Sequence, residues 1–336
     1  MLLILFANTV ALGADLGAMG DALNLLVGGP RLLYVVLFAA LCVGMQVFLR
    51  YTRYVSILKW TTLSLLSYFA AAAMAGVEWG EVARGLVPSL SADEGWVTAV
   101  VAVFGVALSP FLLFWQSAQE VEDQRVMPRR EPLLRAPDQA RAALRRIRLD
   151  TMVGMGVAVL VGLAIMVTTA ATLHREGVTA IASSAQAAEA LRPAAGSFAF
   201  ALFALGIIGT GLLAVPVLAG SAAYAIGEAL RWPVGLSREP LEAKSFYGTL
   251  AAATALGAAL NLTGVDPIRA LYWSAVVNGV AAAPLLALTV LVASRRDVMG
   301  PFAIGPVLRA AGWATVALLA ASAGAMMFLA FQGSSP

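Results

Sequence analysis

One cysteine, one histidine and few charges set this 336-residue chain apart from most enzymes and soluble domains. Cys42 alone excludes internal disulfides and Cys-based metal sites. His174 is the only imidazole and falls at the end of an apolar run, so a histidine proton relay inside a membrane is excluded. Charged residues make up 12% of the chain, against about 25% in a typical soluble domain. No polar stretch outlasts the connection 119–150, which leaves no room for a large soluble domain. There is no P-loop, HExxH, nucleophile elbow or paired-cysteine motif, so the sequence offers no support for an enzyme. The net charge of +3 follows from how basic residues are shared among loops and gives no reason to invoke nucleic acid.

What the chain has instead is apolar length. Hydrophobic residues make up 60% of it and the mean hydropathy is +0.85. Apolar runs cover 2–27, 32–49, 55–77, 96–118, 152–173, 198–228, 247–263, 270–293 and 310–331. These nine runs each come near the ~20 residues that cross a hydrocarbon core, with 247–263 short and 198–228 long. The expected fold class is therefore all-α, a polytopic transmembrane helical bundle. Alternate loops carry 17 of the 22 basic residues, from Arg50, Arg53 and Lys59 through Arg125–Arg148 and Arg231–Lys244 to Arg295, Arg296 and Arg309. The opposite loops hold only Arg31, Arg84, Arg175, Arg192 and Arg269. By the positive-inside rule the N-terminus is cytoplasmic and the C-terminus lies outside.

The chain enters its first apolar run directly after Met1, with no basic leader and no small-residue cleavage site, so no signal peptide is expected. It starts as if joined part-way through a longer protein. In the connection 119–150, three prolines precede a short helix opened by Asp138, on which Arg141, Arg145 and Arg148 share one face. Beside the cytoplasmic leaflet this face suits anionic lipid headgroups; a solvated loop that only fixes topology is the equal alternative. A weak internal repeat aligns Gly13–Leu23 with Gly220–Leu230, on runs of opposite direction, although chance is a serious rival in so Ala- and Gly-rich a chain.

Two places carry candidate chemistry. The first is Ser109-Pro110, in the centre of the run 96–118. Proline removes a backbone donor, so carbonyls around Val106 and Ala107 lose their helical partners. In lipid those oxygens need protein, water or an ion. The Val106 carbonyl and the Ser109 hydroxyl, with Gln116 two turns on, are oxygen donors that suit hard divalent cations. A proline kink re-satisfied by serine is the plainer reading. The second is Asp15, a carboxylate in mid-run that costs at least ~2.5 kcal/mol to insert and so needs a polar cavity or a partner. Asn8 lies two turns before it, and Gly13, Gly17 and Gly20 would let another helix come close. Gln119, Glu120, Glu122 and Asp123 either guide cations at an inner vestibule or pair with the arginines that follow. Asn278, with Ser274 one turn earlier, is a further polar position inside a run, where interhelical hydrogen bonding is the default.

At these residues a resemblance emerges. SPFLLFWQSA (109–118) resembles the sixth-helix motif of the natural resistance-associated macrophage protein family of divalent-metal transporters, typically Met-Pro-His-Asn-Leu-Tyr/Phe-Leu-His-Ser-Ala. ALGADLGAMGDAL (11–23), AEALRPAAG (188–196) and FYGTLAAATALGAALNLTG (246–264) are similar to other stretches of a divergent prokaryotic branch. The resemblance implies a LeuT-like inverted-repeat fold in one transmembrane domain. Residues 1–77 would be the remainder of the first repeat, 96–293 the second, and 303–336 the final helix and tail. It also implies that the first two family helices, with the Asp-Pro-Gly-Asn half of the metal site, are not in this sequence. Ser109 matches the metal-binding methionine, Val106 the residue lending a carbonyl, and Asp15 the aspartate linked to proton movement. Phe111 and Gln116 replace two histidines, and Ala275 a glutamine. The missing sulfur makes Mg2+- or Mn2+-like ions plausible substrates, and the missing histidines put proton coupling in doubt.

The expectation is thus a prokaryotic inner-membrane protein that moves a divalent cation by alternating access, with the metal as substrate and no cofactor. Ser109, Val106 and Asp15 are the expected metal residues, with Pro110, Phe111, Gln116, Asn8, Asn278 and Glu120 along the pathway. A non-transporting remnant or scaffold, and a LeuT-fold carrier of a small organic solute, are the alternatives.

Overall fold

The computed structural model describes residues 2–49, 51–85, 93–127, 130–174, 177 and 191–333, and every regular element among them is helical. In chain order these are α1 (Leu2–Val27), α2 (Arg31–Phe48), α3 (Tyr51–Thr61) and α4 (Leu66–Met74), the last two joined by a 3-10 turn at Thr62–Leu65. Then come α5 (Trp79–Gly85), α6 (Glu94–Ala107), α7 (Pro110–Val126), α8 (Ala140–Thr169), α9 (Leu191–Ala229), α10 (Lys244–Leu260), α11 (Pro267–Ser294) and α12 (Pro306–Gly333). Arg50, Pro128, Arg129, Arg175 and the first residues of 188–196 lie outside the described residues, as do the side chains of His174 and Arg192.

Among the described residues, eight helical stretches are long and apolar enough to cross a membrane. Eight of the nine expected runs are these stretches. The ninth, 247–263, is α10, which at 17 residues falls one short of an 18-residue span. At ~1.5 Å per residue it reaches about 26 Å, slightly less than a ~30 Å core. The chain is an integral membrane protein.

The expected short helix at Asp138 needs correction. Asp138 lies in a 3-10 turn (Pro137–Gln139), and the helix that follows does not stop: α8 runs 30 residues from the arginines straight into the fifth apolar run. No proline interrupts it, so the helix has no reason to end where the polarity changes. Arg141, Arg145 and Arg148 are exposed on its first three turns.

The chain divides into two compact units. One contains residues 89–145 and 272–336 with the first seven residues; the other contains 8–88 and 146–271. In the first unit, α6 crosses α11 at Gly105 and Gly279. A methyl group on Gly105 would collide with the Ala275 carbonyl, and one on Gly279 with the Val101 carbonyl. Backbone contact of this kind needs glycine on both helices. Val101, Ala102, Ala275 and Val276 form the buried patch around it, and α12 also packs on α6. In the second unit, the long α9 packs against α2, α3, α4 and α10. Pro216 lies inside α9, and the Gln46 side chain of α2 donates to its carbonyl at 2.8 Å. Tyr68, Ala72, Val161, Ala164 and Phe203 make one buried apolar cluster of this unit.

Candidate functional site

The break at Ser109-Pro110 is a true interruption. α6 ends at Ala107, Leu108 leaves the helical region (φ −118°, ψ 41°), Ser109 is extended (φ −56°, ψ 125°), and α7 starts with Pro110 as its first residue. Proline is well placed there, because a first-turn N–H has no helical partner to lose. The Ser109 hydroxyl is buried and donates to the Gly105 carbonyl at 2.5 Å and the Val106 carbonyl at 3.0 Å. The oxygens freed by the break are therefore bridged by serine, and an arriving cation would have to share or displace that proton. Pro110 is buried, Phe111 half-buried, and the Val106 side chain exposed.

Further along α7, Gln116 is exposed and Glu120 half-buried. Glu122 is fully buried and pairs with Arg125 at 3.2 Å, while Asp123 pairs with Arg130 at 2.8 Å. Of the two readings of this acidic cluster, pairing with nearby arginines is what these two carboxylates do. Asn278 on α11 is buried with its Oδ1 unpartnered, and Ser274 donates to the Ala7 carbonyl at 2.9 Å. Ala275 is buried where α6 and α11 touch, with its carbonyl against Gly105.

Asp15 belongs to the second unit. It is half-buried and lines a cavity of about 320 Å³ with Tyr68, Thr169, Phe203, Ile207 and Thr210. Asn8, in the same unit, is wholly buried, and neither of its amide atoms has a hydrogen-bond partner. A buried amide without partners costs ~1–3 kcal/mol. The glycines beside Asp15 admit neighbours as expected: Gly13 abuts Gly257 of α10, and Gly20 abuts Val35 of α2. Among the described residues, no three His, Cys, Asp or Glu side chains gather to hold a metal ion.

Sequence reasoning missed one network. Arg31 pairs with Asp21 and donates to Asn261 Oδ1 at 3.0 Å, and Asn261 Nδ2 donates to the Gly13 carbonyl at 2.8 Å. Its only signal in the sequence is a basic residue on a loop otherwise poor in them. The partners are up to 248 residues apart, so no local pattern links them.

The family model "Natural resistance-associated macrophage protein-like" matches residues 1–329. A divalent metal cation transporter MntH of Deinococcus radiodurans is 26% identical over 269 residues, covering 78% of this chain and 56% of that relative. Its counterpart in Caldanaerobacter subterraneus subsp. tengcongensis is 24% identical over 340 residues, covering 95% of this chain and 75% of the relative. The chain spans 32% to 56% of the length of the first three curated relatives that it matches. A crystal structure of a mutant of the Eremococcus coleocola manganese transporter superposes with a TM-score of 0.63 at 17% identity, covering all of this chain and 73% of that one. A match over nearly the whole sequence, on an all-helical LeuT-like fold, makes the chain a member of the natural resistance-associated macrophage protein-like family.

Proposed function

We propose that this chain carries the transport machinery for a divalent metal cation, moved across the membrane by alternating access. The observation that carries the reading is the helix interruption at Ser109-Pro110, where a hydroxyl and carbonyl oxygens converge in a buried position. Discontinuous helices of this kind are how many secondary transporters present backbone oxygens to an ion. The relatives named as divalent metal cation transporters support the substrate class.

In this reading the Val106 carbonyl and Ser109 hydroxyl bind the ion, with Gln116, Asn8, Asn278 and Glu120 along its route. Asp15 attracts the ion or carries a coupled proton. An all-oxygen set favours hard ions such as Mn2+ or Mg2+ over thiophilic ones. The two inverted repeats, 1–77 and 96–293, form one transmembrane domain. In this reading the protein sits in a prokaryotic inner membrane with its N-terminus cytoplasmic, which the basic loops support, and Arg141–Arg148 lie against anionic lipid.

The test is uptake by liposomes containing the purified full chain, read with a Mn2+-quenched dye inside. Mn2+ entry is expected, lost in Ser109→Leu, and shifted toward Cd2+ in Ser109→Met, which adds a soft ligand. Absence of any divalent cation movement, or unchanged uptake by Ser109→Leu, would overturn the proposal.

A further inference from the structure

The cavity beside Asp15 has a donor and acceptor balance that defines what it can hold. Four of its described lining residues are polar: Asp15, Tyr68, Thr169 and Thr210. Thr210 donates its hydroxyl proton to the Gly206 carbonyl at 2.8 Å. Tyr68, 3.2 Å from Thr210 Oγ1, therefore gives its own proton to that oxygen. Thr169 gives its proton to the carbonyls of Ile165 and Met166, at 3.0 and 2.9 Å. Every hydroxyl proton is spent on the protein itself. What faces the cavity is a set of oxygen lone pairs and one carboxylate that makes no hydrogen bond or ion pair with the described residues.

Such a site accepts and does not donate, so its ligand must bring the N–H or O–H groups. The remaining walls are apolar, among them Ile165, Phe203, Ile207, Ile268 and Leu271. Phe203 and Tyr68 meet edge to face, ring centres 5.5 Å apart, which adds an aromatic corner. A volume of about 320 Å³ has room for a small organic molecule, of which four polar groups can hold only one end. Four polar groups are fewer than the six or more oxygens a divalent ion wants, so such an ion would stay here only with its own waters. An ammonium group on a small apolar body satisfies both halves: N–H donors and positive charge for Asp15, hydrocarbon for the rest.

We propose that this cavity is a binding site for a small primary ammonium with an apolar body. Its lining residues all belong to one compact unit, and Asp15 is shared with the transport reading.

The experiment is calorimetric titration of the detergent-purified full chain with benzylammonium chloride, at pH 7 with chelator present and empty micelles as blank. Benzyl alcohol is the uncharged comparison. Saturable binding of benzylammonium is expected, with benzyl alcohol at least tenfold weaker. Asp15→Asn should weaken benzylammonium at least tenfold. Ile207→Trp, which fills the cavity and leaves the charge alone, should do the same, so a folding failure of one variant leaves the other. Equal affinity for the two compounds, undiminished binding by either folded variant, or no saturable binding at millimolar concentration would overturn the site. Because no metal is present, these results leave the transport proposal to its own assay.

Discussion

The hydroxyl of Ser109 donates to the carbonyl of Gly105 at 2.5 Å, one turn back across the break between α6 and α7. A second bond reaches Val106 at 3.0 Å, the carbonyl whose helical donor would have been the nitrogen of Pro110. One side chain thus holds two carbonyls at the end of α6, and it makes no cap hydrogen bond to the first turn of α7. Ser109→Ala should leave two carbonyls short of a donor and lower stability by ~1–3 kcal/mol. Ser109→Thr keeps the hydroxyl and should stay within ~1 kcal/mol of the wild type, since only a methyl is added. Thermal unfolding in detergent measures both; equal midpoints for Ala and wild type would mean that the bridge contributes nothing.

Gly105 has a second constraint. A methyl group there would meet the Ala275 carbonyl of α11, so even Gly105→Ala forces the helices apart. The cost expected for such overpacking is ~1–3 kcal/mol, and the Val101–Ala102–Val276 patch should loosen with it. Gly154→Ala is the control, because nothing lies near that position and alanine is the better helix former. A drop in unfolding midpoint for Gly105→Ala and none for Gly154→Ala is the expected pair of results.

These contacts show where sequence reading reaches and where it stops. The break was legible because proline cannot donate, whatever surrounds it. The membrane spans were legible because an apolar run of a given length has few other uses. Pairing of Glu122 and Asp123 with Arg125 and Arg130 was within reach as well, since the partners are three and seven residues away. Continuity of α8 was not, because a change from basic to apolar residues marks a change of solvent without ending a helix. The Asp15 cavity was also hidden. A lone carboxylate in an apolar run announces a need for polar company, but that company is Tyr68, Thr169 and Thr210, from three distant segments. The two threonines turn their protons back onto carbonyls of their own helices, while Tyr68 meets Thr210 across 142 positions of sequence.

Outside the membrane spans, Asp297 accepts hydrogen bonds from Arg295 at 3.0 and 2.5 Å. The guanidinium holds the Asp297 carboxyl below its ordinary value of 3.8, and the carboxylate raises the Arg295 guanidinium in turn. A depressed acid contributes its stabilisation above its unfolded pKa and loses it as pH falls through the folded one. The pair is therefore intact throughout neutral pH and released only in strong acid. Both side chains are exposed, so the effect on global stability is expected to be too small to measure. Carbon-detected NMR titration of Asp297 should give a midpoint below the ordinary value, returning to it in Arg295→Gln. A midpoint unmoved by that substitution would show that the guanidinium does not set it.

The amide of Asn261 ties three helices with two bonds, accepting from Arg31 of α2 and donating to the Gly13 carbonyl of α1 from the end of α10. Arg31 is in turn held by Asp21, so removing either Arg31 or Asn261 strands part of the same network. Such residues do not behave independently. Asn261→Ala and Arg31→Gln should each lower the unfolding midpoint, and the double variant should lose less than the two losses combined. The expected coupling is ~0.5–3 kcal/mol, the range found for residues sharing one hydrogen-bond network. Gly17 sharpens the point, because a methyl there would run into the Asn261 side chain and the Arg31 guanidinium. Gly17→Ala should therefore lower the midpoint as well, by displacing the Asn261 and Arg31 side chains while leaving both residues in the sequence. Strict additivity in the cycle, together with a silent Gly17→Ala, would show that the three helices are held by apolar packing alone.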